Sequence, residues 1–187
     1  NLTNPNPVQW QASLFQIKRP LTYDDPNGNR LLDGNQTHQG IELGANMTQQ
    51  QWKFGLNTQW LQTSISDVMR NPTLVGTTPL NVPKFVMRGM AEYRYSSVPG
   101  LRTGLRVSHE GQRLVTEDGA VQLPAWTTLA ASAHYDTKVN NVASTWTLGI
   151  DNLADKRYWR ESPKQFGHYY LYPGAPRTLR ATVQFRM

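Results

Sequence analysis

Apolar and polar residues alternate strictly through this chain, segment after segment, and few folds can accept such a pattern. In the closing run Leu179, Ala181, Val183, Phe185 and Met187 share one parity, and Arg180, Thr182, Gln184 and Arg186 share the other. That period of two is the signature of a strand whose two faces meet unlike surroundings. It recurs upstream. Ile41, Leu43, Ala45 and Met47 oppose Glu42, Gly44 and Asn46, and Trp52, Phe54, Leu56 and Trp60 oppose Lys53, Gly55, Asn57 and Gln59. Phe85, Met87, Ala91, Tyr93 and Tyr95 oppose Lys84, Arg88, Glu92 and Arg94, and Leu101, Leu105 and Val107 oppose Arg102, Arg106, Ser108 and Glu110. Leu129, Ala131, Ala133 and Tyr135 then oppose Thr128, Ser132, His134 and Asp136, while Trp146, Leu148 and Ile150 alternate with Thr145, Thr147 and Gly149. In the first segment, 8–19, Val8, Trp10, Ala12 and Leu14 hold a parity that Phe15 and Ile17 break. The break predicts a bulge or an exit from the apolar zone.

The expectation is an all-β, antiparallel architecture of about eight strands. Its connections alternate between long (20–34, 66–81, 115–123, 153–175) and short (48–51, 96–100, Asn140-Asn141). Segments of about ten residues or a little more suffice to cross a bilayer when tilted. The rhythm of short turns on one side and long loops on the other is that of an outer-membrane β-barrel. Trp10, Trp52, Trp60, Tyr93, Tyr95 and Tyr135 then fall near strand ends, where interfacial aromatic girdles sit. A soluble sandwich or lipocalin-like barrel also alternates, but around a shared interior, and its links would not rotate between long and short so regularly.

A wet and a greasy face average to a polar value, so low mean hydropathy is no argument against a membrane wall. With no cysteine among the 187 residues, neither disulfide nor thiolate chemistry is available. No apolar run approaches the roughly 20 residues of a spanning helix. The opening Asn1-Leu2-Thr3-Asn4-Pro5 lacks the charged and apolar regions of a signal peptide. The start is therefore expected to be processed, or the chain to be a piece of a longer protein. A net charge of +6 suits an anionic partner. Its Lys and Arg residues are scattered along strands, which argues against nucleic acid.

Residues for catalysis or metal binding are sparse. His38, His109, His134 and His168 show no paired metal-ligand spacing, and no nucleophile elbow, phosphate loop or Ser/His/Asp set stands out. Asp25, Asn27 and Asn29 imitate the start of a calcium loop, but Arg30 replaces its turn glycine and Gln36 its closing glutamate. A hydrophilic loop, and no enzyme, is expected.

The run Asp151-Asn152-Leu153-Ala154-Asp155-Lys156-Arg157-Tyr158-Trp159, then Tyr172-Pro173-Gly174-Ala175-Pro176-Arg177-Thr178 and a terminal strand, resembles the C-terminal end of TonB-dependent outer-membrane siderophore receptors. Ser13-Leu14-Phe15-Gln16-Ile17, Gly40-Ile41-Glu42-Leu43, Val82-Pro83-Lys84 and Leu123-Pro124-Ala125-Trp126 resemble that family's landmarks in the same order, so the resemblance covers essentially the whole chain. One departure is the end itself, where Phe185 is followed by Arg186 and Met187 although the family usually ends in an aromatic residue.

The resemblance implies a barrel of roughly 22 strands around an N-terminal plug. Residues 1–187 would supply its C-terminal part, and the plug and TonB-contacting segment would lie elsewhere. Eight strands closing alone would bury Lys53, Lys84, Arg88, Arg94, Arg102 and Arg106 in a narrow interior with few carboxylates, an expensive arrangement. Within the larger barrel these six are expected to face the plug, or else to steer an anionic ligand inward. Tyr158, Trp159, Arg160, His168, Tyr169 and Tyr170 combine aromatic faces with positive charge and are the candidate ligand contacts; girdle and loop packing explain the same residues. The implied partners are a ferric siderophore, the TonB complex through the missing N-terminal part, and lipid of a Gram-negative outer membrane. Iron would arrive inside its chelator, so neither a protein metal site nor a cofactor is expected. The alternatives are a receptor of this superfamily for cobalamin or another substrate, and a small standalone barrel with a structural role.

Overall fold

The computed structural model describes residues 8–186. The opening pentapeptide and the terminal Met187 named above lie outside that range. Eight strands form one continuous antiparallel sheet in sequence order: β1 (Val8–Asp24), β2 (Arg30–Gln49), β3 (Trp52–Ser66), β4 (Phe85–Arg94), β5 (Leu101–Glu110), β6 (Trp126–Val139), β7 (Val142–Asp151) and β8 (Thr178–Arg186). Every neighbour in the wall is also a neighbour in sequence, apart from short hairpins within the loops.

Register turns the separate alternations into one surface. Leu14 faces Ile41, Ile41 faces Trp60, and Trp60 faces Phe85 across successive strands. Further along, Ala91 pairs with Leu105, Leu105 with Ala131, Ala131 with Ile150, and Ile150 with Leu179. The opposite face lines up Lys53 with Glu92, and Arg102 with both Arg94 and His134. Leu14 (82%), Trp10 (77%) and Leu179 (75%) are among the most exposed large apolar side chains, and all three belong to the apolar face. An apolar surface this extended requires hydrocarbon as its solvent, and closed antiparallel pairing is how strands satisfy their backbone there.

Aromatic rings mark both margins of the band. At the short-turn end Trp52 lies 4.8 Å from Tyr93, which lies 4.9 Å from Tyr95, and Tyr135 stands opposite Trp146. At the long-loop end Trp60, Phe85 and His109 follow one another at 5.1 and 5.7 Å. Residues 140 and 141 make a two-residue hairpin turn with φ of 50° and 64°, a left-handed pair that Asn accommodates. The buried apolar residues Ile65, Val68, Val115, Leu123 and Trp126 gather toward the long-loop end and beneath the loops, because a single-layer wall has no second sheet to bury against.

Two local expectations change. The stretch 20–34 is mostly strand: β1 and β2 keep pairing through Asp24 and Arg30, with one register shift between Pro20 and Thr22. Asp25 closes the tip, accepting the backbone N–H groups of Asn27 and Asn29 at 2.9 and 2.8 Å. The parity break at Phe15 is an exit from the apolar face, since pairing runs unbroken there and the Phe15 ring lies over Gly40. The bulge sits farther along the strand, where proline has no N–H for the ladder.

A charge tests the two faces. Leu105→Lys, on the apolar face, is expected to destabilise the folded full-length protein in lipid by about 2–4 kcal/mol, and Ser132→Lys, on the polar face, by much less. Urea titration read by heat-modifiable migration measures both; equal effects would contradict the facing.

Candidate functional site

The polar face carries the cations expected there together with counter-charges that linear reading did not pair with them. Arg102 lies 3.9 Å from Glu92 and 3.3 Å from Asp136. Arg106 lies 3.7 Å from Asp151, which also holds Arg180 at 2.6 Å. Arg88 reaches Glu110 and donates to the carbonyl of His109 at 3.0 Å, with its guanidinium over the Trp126 ring. The expected shortage of carboxylates is thus corrected for Arg88, Arg102 and Arg106: their partners come from neighbouring strands and are invisible until register is known. Lys53, Lys84 and Arg94 have no ion pair among the described residues. Arg94 stands directly opposite Arg102, a like-charge pairing that is unfavourable without other neutralisation.

At the long-loop end three loops are knitted together by side chains. Glu110 bridges Arg88 and Arg113. Arg113 donates to the backbone carbonyl and side-chain oxygen of Asn81, and Asn81 Oδ1 accepts the Ser162 N–H at 2.9 Å. Burial pushes the Arg113 pKa down, opposed by the charge of Glu161. Residues 67–84, 111–125 and 152–177 are therefore held by one network. The last loop is also closed at its base by Asn152, which donates to the carbonyls of Lys156 and Ala175 and accepts the Lys156 N–H.

The six candidate ligand contacts do not form one cluster. Tyr158 turns inward, its ring tilted against Trp126 at 4.5 Å, and Gly174 is required beside it because a Cβ there would come within 2.1 Å of the ring. Trp159 is exposed and pairs with Pro173; Arg160 is bound to Glu161 at 2.5 Å. His168 and Tyr169 lie on a small hairpin opposite Gln165 and Lys164, with Lys164 over the Tyr169 ring, and Tyr170 donates its N–H to Pro163. That hairpin is tied to the loop before β6 by Lys164 and Glu117 at 2.6 Å. Desolvation opposes the Lys164 charge, but Glu117 and Tyr169 outweigh it and raise its pKa.

Position in the chain did not single out Phe166, 71% exposed at the hairpin tip with φ of 50°. Nor did it single out a cavity of about 560 Å³ between the β1–β2 hairpin, the β3–β4 loop and this tip. Arg19, Tyr23 and Arg70 line the cavity from segments far apart in sequence.

A single antiparallel wall with one apolar face, aromatic margins and long loops at one end is the wall of a transmembrane β-barrel. The family described as TonB dependent receptor-like, beta-barrel matches residues 2–153, and the chain belongs to that family. The ferrichrome receptor of Yersinia enterocolitica is 30% identical over 184 residues, which span 91% of this chain and 22% of the receptor. The metal-pseudopaline receptor of Pseudomonas aeruginosa is 34% identical over 113 residues, 58% of this chain and 15% of its own length. The ferric preacinetobactin receptor of Acinetobacter baumannii superposes with a TM-score of 0.78 at 25% identity, over 95% of this chain and 27% of its own. The chain thus spans less than a quarter of the length of these curated relatives.

Gly174→Ala and Asn152→Ala should each loosen residues 152–177 without unfolding the wall. The expected result is protease cleavage in this loop at least tenfold faster than in wild type, with heat-modifiable migration unchanged. Unaltered cleavage would show that neither residue holds the loop.

Proposed function

We propose that this chain is the C-terminal part, residues 1–187, of the wall of an outer-membrane receptor that takes up ferric siderophore in a Gram-negative bacterium. The carrying observation is the two-faced wall itself, an unbroken apolar face backed by a charged one, in a chain of this family. β1 and β8 each have one edge unpaired among the described residues, which fits continuation into a larger barrel.

On this reading Lys53, Lys84, Arg88, Arg94, Arg102 and Arg106 face the plug. The cations already paired within the wall keep it neutral, and Lys53, Lys84 and Arg94 meet acceptors on the plug, since a wall around a folded domain must satisfy its buried polar groups. Tyr158, Trp159, Arg160, His168, Tyr169 and Tyr170 form the ligand-facing loop, with Tyr158 shaping its base and Tyr169 and Tyr170 exposed near the tip. The ferric chelate is cargo, moved when the TonB complex acts on the plug. The wall contributes binding and confinement, with no resident cofactor and no covalent step.

The test is growth under iron limitation of a strain whose sole siderophore receptor is the full-length parent. At least one ferric siderophore of a broad panel should support growth, and only with TonB present. Growth on none, or growth indifferent to TonB, would sink the proposal. Lys53→Gln combined with Arg94→Gln should increase leakage of a large antibiotic several-fold by loosening the plug; unchanged leakage would refute the plug-facing role.

A further inference from the structure

We propose that the cavity between the β1–β2 hairpin and the β3–β4 loop is a recognition subsite for a carboxylate-bearing small ligand, with Arg19 and Arg70 as its binding groups. The inference rests on the receptor reading above and names a chemical class for its ligand. At about 560 Å³ the space matches small-molecule sites, which run to roughly 300–1,000 Å³.

Charge accounting singles out the two arginines. Of the charged residues lining the cavity, Arg30 is paired with Asp24 at 3.1 Å and Lys164 with Glu117 at 2.6 Å. Asp33 is occupied by the backbone, its two oxygens accepting the N–H groups of Met69 and Arg70 at 2.9 and 3.0 Å. Nearby Asp25 is committed to its own turn, with Oδ1 on the backbone of Asn27 and Asn29 and Oδ2 on the Asn29 side chain. What remains is Arg19, whose guanidinium meets only the neutral Gln36 oxygen at 3.1 and 3.3 Å, and Arg70. Neither is ion-paired with a carboxylate among the described residues; the Asp25 charge reaches Arg70 only from beyond ion-pair distance.

Arg70 is also held in place. Its guanidinium lies 4.3 Å from the centre of the Tyr23 ring and hydrogen-bonds the Tyr23 hydroxyl. A stacked guanidinium keeps free N–H edges and loses little freedom on binding, and bidentate pairing with a carboxylate is what those edges suit. Two unpaired arginines lining one cavity, one of them held in place, favour a ligand with more than one carboxylate.

The experiment is isothermal titration of the purified full-length receptor with citrate, and with triethyl citrate as an uncharged match in shape. Citrate is expected to bind and the ester not to. Arg19→Gln and Arg70→Gln should each weaken citrate at least fivefold and together at least thirtyfold, with heat-modifiable migration confirming a folded barrel. Tyr23→Phe should give an intermediate loss, because the stack survives and the hydroxyl bond does not. No citrate binding by the wild type, equal binding of the ester, or indifference to both arginine substitutions would each overturn the subsite. The titration reads equilibrium binding and not uptake. A receptor that binds citrate through these arginines yet supports growth on no siderophore would refute transport alone, and a transporting receptor indifferent to them would refute the subsite alone.

Discussion

Because successive side chains of a strand point to opposite faces, a slip of one residue between β4 and its neighbours would swing Arg88, Glu92 and Arg94 into hydrocarbon and turn Phe85, Met87 and Tyr93 to the wet side. Each buried arginine would cost about 2–4 kcal/mol near the bilayer midplane, so the inter-strand register is what the rest of the architecture depends on. Turn chemistry guards it at the short-turn end, where Gln50 and the pair Asn140-Asn141 take positive φ. At the other end the aromatic row Trp60, Phe85 and His109 gives cross-strand contacts that a slipped register would lose.

Above the band the chain solves a different problem. Loops cannot use lipid to hold their shape and have little apolar material to bury, so polar side chains hold them instead. Asn81, Arg113 and Asn152 do most of this by bonding backbone groups of segments distant in sequence. A network around a partly buried arginine is directional and intolerant of displacement, because a lost partner leaves a desolvated group unmatched. The base of the last loop is consequently fixed, and its tip is held to the body chiefly by Lys164 and Glu117. An exposed pair of this kind contributes roughly 0–1 kcal/mol, so the tip is held far less firmly than the base.

The wall was legible from residues alone because its information is local: a period of two needs no knowledge of what lies beside the strand. Leu101, Leu105 and Val107 announce their face unaided, and the rhythm of links announces antiparallel order. Counter-charge was not legible, since Arg102 and Asp136 become neighbours only through the β5–β6 register, and Arg106 and Asp151 only through two successive registers. The long last loop was half legible. Composition marked its tyrosines, but no local signal told Tyr158, folded onto Trp126, from Tyr169, left outside. The 20–34 hairpin was misjudged because Asp, Asn, Pro and Gly favour turns individually, while the long ladder of β1 and β2 carries its pairing past them.

The cations divide by whether register supplies a counter-charge as well as by face. Arg88, Arg102 and Arg106 are matched by carboxylates, and Arg102 is so although it stands directly opposite the unmatched Arg94 beside a short turn. The unmatched ones lie at the two ends: Lys53 and Arg94 next to the short turns, Lys84, Arg19 and Arg70 toward the loops. A uniformly basic lumen would hold an anion wherever it landed. On the proposed receptor reading, pairing within the wall instead leaves attraction mainly to the unpaired cations, toward the loops where a ligand would be captured and beside the short turns where a plug would be retained.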